Sequence, residues 1–452
     1  MGDREPLAPL DLDPAFPLLA KAASEHGVRA WAVGGFVRDR LLGRDHREID
    51  IVVEGGRGPE LAAHFARLTG SAPPVVFERF GTAQVMWGDR AIEFASARAE
   101  SYRDDSRKPD VQPAGIDQDL RRRDFTVNAL LMDFSGRVED RLGTGLADLQ
   151  AGLLRTPLDP VATFSDDPLR MLRAVRFAAQ LGFKLDPSLL PAMRSLAGRL
   201  SPPVVSVERI ADELRKMLVS ERPRKAVELL DAGGLLSGIL PELAACRGVE
   251  QGGYHTHDVY GHTLRTVALT PPDLVVRLAA LFHDTGKPAT AAPDGSFLGH
   301  EKVGAELAAA ALARLRFSNS VIERVAHLVR LHLRPVYYEA EWTDGAVRRL
   351  AREAGQDIGA LLQLARADIA ASAYDKPEKL TELERRLAAV LEESPSRFSS
   401  PVTGEDIMRA RGLKPGPEVG KLKARLDELV LEGEIEPKRE AVLRYLEANP
   451  DL

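Results

Sequence analysis

The sequence predicts an α+β head of short strands and helices, followed by regions that are helical throughout. Three observations lead there. Short β-branched and apolar runs, punctuated by glycine and proline, recur between residues 30 and 95. From Pro168 onward, apolar residues recur at helical spacing. Seven of the ten histidines fall between His255 and His332, which marks a separate helical module.

The head takes its elements in order. Ala30–Val33 is a short apolar strand ending in Gly34-Gly35, and Ile49–Val53 is a β-branched strand followed by Gly55-Gly56. Val75–Phe77, Ala83–Trp87 and Ile92–Ala95 read as further strands. Phe36–Leu42 and Glu60–Leu68 read as helices, and Pro59 suits the start of the second. The segment between Arg98 and Asp119 reads as a loop. Beyond it, Leu169, Leu172, Val175, Ala179 and Phe183 share a helix face. Pro202-Pro203 breaks that pattern, and Ser206 can cap a helix over Val207–Val219. These signals divide the chain into a head at 1–157, a helical neck at 158–245, the histidine module at 246–392 and a helical tail at 393–452. A length of 452 residues accommodates that many domains.

Composition narrows the function. No run of about 18 apolar residues exists, so no membrane partner is expected. The segment MGDREPLAPLDLDPAF is acidic and has no apolar core, unlike a secretory signal. Cys246 is the one cysteine, which excludes a disulfide within the chain and suits a reducing cytoplasm. The net charge of −6 does not favour nucleic acid. Asp166–Lys225 holds twelve Lys or Arg against seven Asp or Glu, which suits a basic stripe or, equally, a solvated helical surface.

The chemistry starts at the double glycine. Gly34 and Gly35 let the backbone approach a ligand closely. A helix starting at Phe36 would aim its amides at that ligand, which suits a triphosphate. Glu48 and Asp50 alternate on one strand and so share a face. Side by side they repel unless a cation intervenes, and oxygen ligands with phosphates favour Mg²⁺. Glu93, on a neighbouring strand, can add a third carboxylate. Paired acids also occur at solvated strand ends, and Gly-Gly is common in turns.

The run Gly34–Asp39, Leu41–Gly43 and Glu48–Asp50 resembles the first motif of the class II tRNA nucleotidyltransferases and bacterial poly(A) polymerases. Four further stretches resemble that family's later motifs in order: Arg122–Leu130; Asp140, Gly143, Gly145, Asp148 and Leu149; Asp166–Arg170 with Arg173 and Arg176; and Glu208–Ile210 with Glu213 and Leu214. The resemblance implies a polymerase-β-like nucleotidyltransferase head with an all-helical neck. In it Glu48, Asp50 and Glu93 would hold two Mg²⁺ ions for attack by an RNA 3′ hydroxyl on CTP or ATP. Gly34, Gly35 and Arg38 would position phosphates, and Arg123, Asp124 and Asn128 would recognise the ribose. Asp167, which can cap a helix with Pro168 in its first turn, would join Arg170 to select the base. The implied partner is tRNA and the implied product its CCA end. Two departures stand out: Glu48 and Asp166 occupy positions where the family usually has Asp and Glu. Asp45, in the turn before the strand, is a poorer substitute for the metal ligand.

In the histidine module, His262, His283, Asp284 and Asp368 resemble the metal ligands of an HD domain, a helical phosphohydrolase fold. His300 and His332 could complete a second site. Imidazole with carboxylate suits Mn²⁺, Ni²⁺, Co²⁺ or Fe²⁺. His255, His257 and His327 fit surface or supporting roles better. In bacterial enzymes of this kind the module implies hydrolysis of cyclic or RNA-end phosphates. In the tail, Pro415-Gly416-Pro417 opens a helix whose Lys421 and Lys423 could meet an RNA phosphate.

Rival readings follow from the same residues. Asp50–Gly55 resembles the matching stretch of A-adding members, so a CC-adding or A-adding enzyme is one alternative. Poly(A) polymerase shares the motifs. A phosphohydrolase whose head only binds RNA would belong to another class, and the intact head carboxylates count against it.

Overall fold

A computed structural model of the protein describes residues 12–46, 48–78, 81–103, 106–251, 257–372, 377–392 and 399–452. The chain folds as two compact units, Met1–Ile239 and Leu240–Leu452.

The first unit opens with α1 (Phe16–His26), β1 (Ala30–Val33), α2 (Gly35–Leu41), β2 (Ile49–Val53) and α3 (Gly58–Thr69). Then come β3 (Val75–Phe77), β4 (Thr82–Trp87), β5 (Arg90–Ser96), β6 (Arg98–Arg103), β7 (Ser106–Pro113) and α4 (Ile116–Arg121). The short strands β8 (Leu131–Met132) and β9 (Val138–Glu139) complete a seven-stranded sheet of order β3-β4-β5-β2-β1-β8-β9. Within it β2 and β5 run parallel and the other neighbours antiparallel.

Three of the expected strands have the expected bounds, and the other two are longer by one to three residues. The segment expected as a loop from Arg98 forms instead the antiparallel hairpin β6–β7 and then α4. Its polar, proline-containing sequence lacks the apolar alternation by which a strand is recognised.

Alternation along β2 decides what the sheet presents. Ile49, Ile51 and Val53 are fully buried on the face covered by α1 and α3, where Phe65 meets Phe94 of β5 at 5.7 Å between ring centres. The opposite face carries Trp31, Val33 and Val52, packed with Ile116, Leu120 and Leu131. Asp50 falls on that second face, at the end of this apolar patch. The helices α5 (Gly145–Ala151), α6 (Pro160–Asp166), α7 (Leu169–Leu181), α8 (Leu189–Leu196), α9 (Val207–Leu218) and α10 (Pro223–Ala232) follow. α7 packs against α9 and α10 and is buried nearly all round, its Arg170 and Arg176 included.

The second unit is helical. The helices Val259–Leu269, Leu274–Phe282, His300–Arg314, Asn319–Leu331 and Ile358–Ala371 pack around one polar centre. The tail helices Gly404–Arg411, Pro417–Glu432 and Arg439–Ala448 share an apolar core that includes Ile407, Leu426, Leu429 and Leu446. Thr403 and Asp406 form a reciprocal cap at the first of them. Arg348 donates to Leu431 O at 2.8 Å, joining the helix Asp344–Ala354 to the tail. Lys421 is exposed, whereas Lys423 is paired with Asp427. Among the described residues, no helix is long and apolar enough to cross a membrane.

Candidate active sites

In the head, register places the carboxylates. Asp50 of β2 lies directly opposite Glu93 of β5, so the two side chains project side by side from one face. Burial raises the Asp50 carboxyl above its ordinary pKa; Arg123 and His46 oppose the shift and Glu48 adds to it. Glu93 is raised too, by burial and by the Asp50 charge. Glu48 stands exposed before β2. The three carboxylates do not all close to within 4.8 Å of one another, so the expected three-ligand cluster is reduced here to the in-register pair. Glu48 precedes the first residue of β2.

Gly34 and Gly35 lie against these groups. Gly34 has φ +77°, a conformation favouring glycine, and a Cβ there would come 3.1 Å from Asp50 Oδ2 and 3.5 Å from Arg123 Nη1. α2 begins at Gly35, one residue before the expected start.

Arg38 does not point out toward a ligand, as the sequence suggested. It is buried, and its Nε and Nη2 donate to the two Asp39 oxygens at 2.8 Å each. Its Nη1 donates to Asn128 Oδ1 at 2.7 Å. Asn128 Nδ2 in turn donates to Asp124 Oδ1 at 2.9 Å, and Arg173 Nε on α7 donates to Asp124 Oδ2 at 2.8 Å. Burial alone would raise the Asp124 carboxyl. The Arg173 charge and the bonds from Asn128 and Arg173 outweigh that and hold it well below the carboxylate range. The correction has a simple cause: a guanidinium next to an acid on a buried helix is satisfied locally.

Just before α7, Asp167 Oδ1 accepts from Leu169 N at 3.1 Å, but the N-cap position is Pro168, one residue later than expected. Arg170 is buried and donates to two main-chain carbonyls, Thr163 O at 3.3 Å and Arg122 O at 2.6 Å. Those bonds take two of the five N–H donors of the Arg170 guanidinium. Arg176 Nε donates to Glu213 Oε2 at 2.6 Å and lies over the Phe177 ring, 4.0 Å from its centre. Arg38 and Arg173 approach the same ring at 4.8 and 5.3 Å.

Two functional candidates escaped the sequence reading. Asp119, almost fully buried, accepts from both Arg122 and Arg123 and so aims Arg123 at the double glycine. His46 Nδ1 donates to Asp39 Oδ2 at 2.9 Å, and that bond raises its pKa. Nothing in a lone histidine after Arg44-Asp45 signals this; only the fold returns the loop to α2.

In the second unit, ligands from five positions far apart in sequence meet. His262 Nε2 lies 2.8 Å from Asp368 Oδ1 and 3.3 Å from His283 Nε2. His283 Nε2 lies 3.2 Å from Asp284 Oδ2. The other Asp284 oxygen lies 3.3 Å from His300 Nε2 and 3.9 Å from His332 Nε2. Among the described residues, two triplets could each hold a metal ion: His262, His283 and Asp284, and Asp284, His300 and His332. Asp284 is common to both.

The histidines are oriented for that purpose. His283, His300 and His332 each donate Nδ1–H to a carbonyl three residues earlier, at 2.8, 2.8 and 2.6 Å. Those bonds fix the tautomer and leave the Nε2 lone pairs facing inward. The buried Nε2 of His332 has no hydrogen-bond partner among the described residues. Such a donor set fits a divalent cation of the borderline class. Without one, burial and the neighbouring His283 push His332 down to about 3. Against its burial, Asp284 and Asp368 push His283 up to about 9. Lys287, which the sequence reading passed over, is buried and donates to Asp284 Oδ2 at 2.7 Å and Gln251 Oε1 at 2.6 Å. His257 contacts Arg265, and His327 Nε2 donates to Glu353 O, both away from the cluster. His255 lies outside the described residues.

Comparison with known proteins places this geometry. Residues 30–155 match the poly A polymerase head domain, 182–247 the "probable RNA and SrmB-binding site of polymerase A", and 259–373 the HD domain. The chain is 35% identical to the A-adding tRNA nucleotidyltransferase of Deinococcus radiodurans, over 92% of this chain and 96% of that protein. The chain belongs to the tRNA nucleotidyltransferase family. Another member, the CC-adding tRNA nucleotidyltransferase of Thermus thermophilus, is 37% identical over 91% of this chain and 92% of its own. The family fold is also seen in the crystal structure of the Bacillus stearothermophilus CCA-adding enzyme in complex with CTP. Its TM-score is 0.69 at 24% identity, over 97% of this chain and 98% of that one.

Proposed function

We propose that this member of the family adds nucleotides from CTP and ATP to the 3′ end of tRNA, building or repairing CCA without a nucleic acid template. The observation that carries the reading is the in-register pair Asp50 and Glu93 beside Gly34-Gly35, in a chain whose relatives of nearly full length are tRNA nucleotidyltransferases. Two neighbouring carboxyls whose pKa values are both raised suit a hard divalent cation, and Mg²⁺ is the assignment. When bound, Mg²⁺ supplies Lewis-acid stabilisation at the reacting phosphoryl group and its leaving pyrophosphate. Asp50, Glu93 and Glu48 would hold that charge. Gly34 and Gly35 leave room for the triphosphate, with Arg123 aimed at it by Asp119. Asp124 and Asn128 face the sugar, braced by Arg173. Asp167 and Arg170 read the base, and Arg176 stands behind them. The regions 1–157, 158–245, 246–392 and 393–452 serve as head, neck, hydrolase and tail, in a cytoplasmic protein.

In the second unit, His262, His283, Asp284 and Asp368, with His300 and His332, are assigned to Ni²⁺, Mn²⁺, Co²⁺ or Fe²⁺. The activity is hydrolysis of RNA-end or cyclic phosphates. The inward Nε2 lone pairs support this, since hard ions prefer oxygen.

A narrower reading, addition of CC or of A alone, has support of its own: relatives of both kinds are similar to this chain to nearly the same degree. One experiment tests both. Purified protein is given tRNA lacking CCA, lacking CA, or lacking the final A, with CTP and ATP supplied separately. Incorporation on all three substrates supports CCA synthesis, and a restricted pattern identifies a partial enzyme. No incorporation on any of them rejects the reading.

A further inference from the structure

The hydrogen bonds of the head form one unbroken chain. It starts at His46, in the loop before β2, and ends at Arg173 on α7. His46 Nδ1 donates to Asp39 Oδ2 at 2.9 Å. Arg38 grips both Asp39 oxygens at 2.8 Å and donates to Asn128 Oδ1 at 2.7 Å. Asn128 Nδ2 donates to Asp124 Oδ1 at 2.9 Å, whose other oxygen accepts from Arg173 Nε at 2.8 Å. Every inner member is less than a tenth exposed.

The order of donors gives the chain a direction. Arg38 has only hydrogen to offer Asn128, so the amide oxygen must face Arg38. The amide NH₂ must then face Asp124. The rotation of Asn128, and with it one lone pair of Asp124, is therefore set by where Asp39 holds Arg38. Asp39 takes three of its donated bonds from two side chains, Arg38 on its own helix and His46 from outside it. His46 is the part of the chain that ties α2 to the loop carrying the metal-binding strand. Its ring lies against Gly35, where an added Cβ would come 3.2 Å from Cε1, so glycine leaves the ring its place.

We propose that His46 is a positioning residue for sugar recognition: through Asp39 and Arg38 it fixes the orientation in which Asn128 and Asp124 meet the ribose of the incoming nucleotide. This rests on the reading above, in which Asp124 and Asn128 face that sugar. Without His46, Asp39 and Arg38 remain paired but can shift together, and Asn128 loses its fixed orientation. Discrimination between NTP and dNTP then falls, while tRNA binding does not depend on the chain.

The two ring nitrogens allow a sharp test. Asparagine can place an amide near the position of Nδ1 and keep the bond to Asp39; glutamine places its amide near Nε2. His46→Ala, His46→Asn and His46→Gln are compared in full-length protein for incorporation of CTP and ATP against dCTP and dATP. KM for tRNA and melting temperature are measured in parallel. The loss of one hydrogen bond predicts that His46→Ala lowers the NTP-to-dNTP preference by about tenfold. His46→Asn should recover most of it and His46→Gln little. KM for tRNA should stay within about twofold. An unchanged preference in His46→Ala overturns the inference, as does equal recovery by Asn and Gln. Wild-type protein that adds no nucleotide at all instead removes the underlying reading, so the two failures are distinguishable.

Discussion

Asp124→Ala should destabilise the first unit substantially, because Asp124 is the acceptor for three donors. Phe125 N donates at 2.8 Å, Asn128 Nδ2 at 2.9 Å and Arg173 Nε at 2.8 Å. Losing a charge-assisted bond costs about 1.5–3 kcal/mol. Arg173 keeps 35% of its side chain exposed, so solvent screens the stranded cation and the lower part of that range applies. The two stranded amide donors add roughly 1 kcal/mol each, giving about 3–4 kcal/mol in all. For a unit of this size that is a fall of about 6–15 °C in melting temperature. Calorimetry would measure it, and hydrogen exchange should show the loss concentrated at α7 and Thr126–Asn128. The pH dependence gives a second check. The folded-state pKa of Asp124 is depressed, so its contribution is complete at neutral pH. It is lost as the pH falls below the ordinary carboxylate value of about 4. Asp124→Asn should flatten that acid limb. An Asp124→Ala protein that melts with the wild type would refute the idea that this carboxylate braces the head against α7.

Asp50→Ala should abolish nucleotide addition, read as incorporation with Mg²⁺. Because burial raises the Asp50 pKa, its charge opposes folding at neutral pH, so metal-free Asp50→Asn should melt no lower than the wild type. Glu48→Asp should retain addition, since a shorter ligand at an exposed position can still reach a cation held by Asp50 and Glu93; loss of turnover would show that the extra methylene is needed. His283→Ala with Asp284→Ala should remove hydrolysis of 2′,3′-cyclic phosphates and metal binding in the second unit, and leave nucleotide addition within about twofold. Hydrolysis by chelator-treated protein should return with Ni²⁺, Mn²⁺ or Co²⁺ more than with Mg²⁺, and hydrolysis that no metal restores would make the module a spacer.

The sequence by itself determined five strands of the head sheet, Ala30–Val33, Ile49–Val53, Val75–Phe77 and, within a few residues, Thr82–Trp87 and Arg90–Ser96. Period-two alternation in Ile49–Val53 is a local property, and it alone puts Asp50 and Val52 on one face and Ile49, Ile51 and Val53 on the other. The ordered motifs and the histidine spacing likewise follow from the residue string. What each side chain touches did not follow. Arg38 and Arg170 read as ligand-facing cations, but tertiary packing buried them, and a buried guanidinium must satisfy its donors within the protein. His46 carried no signal because its partner Asp39 lies on α2, to which only the fold returns the loop, whereas Asp119 pairs with Arg122 and Arg123 three and four residues on, a helical spacing that was legible and passed over. The hairpin after Arg98 was hidden for the same reason: strand pairing depends on a partner backbone, not on an apolar pattern of its own. The meeting of His262, His283, Asp284, His300, His332 and Asp368 at one buried centre was decided by the packing of five helices, since no periodicity spans 106 residues between His262 and Asp368.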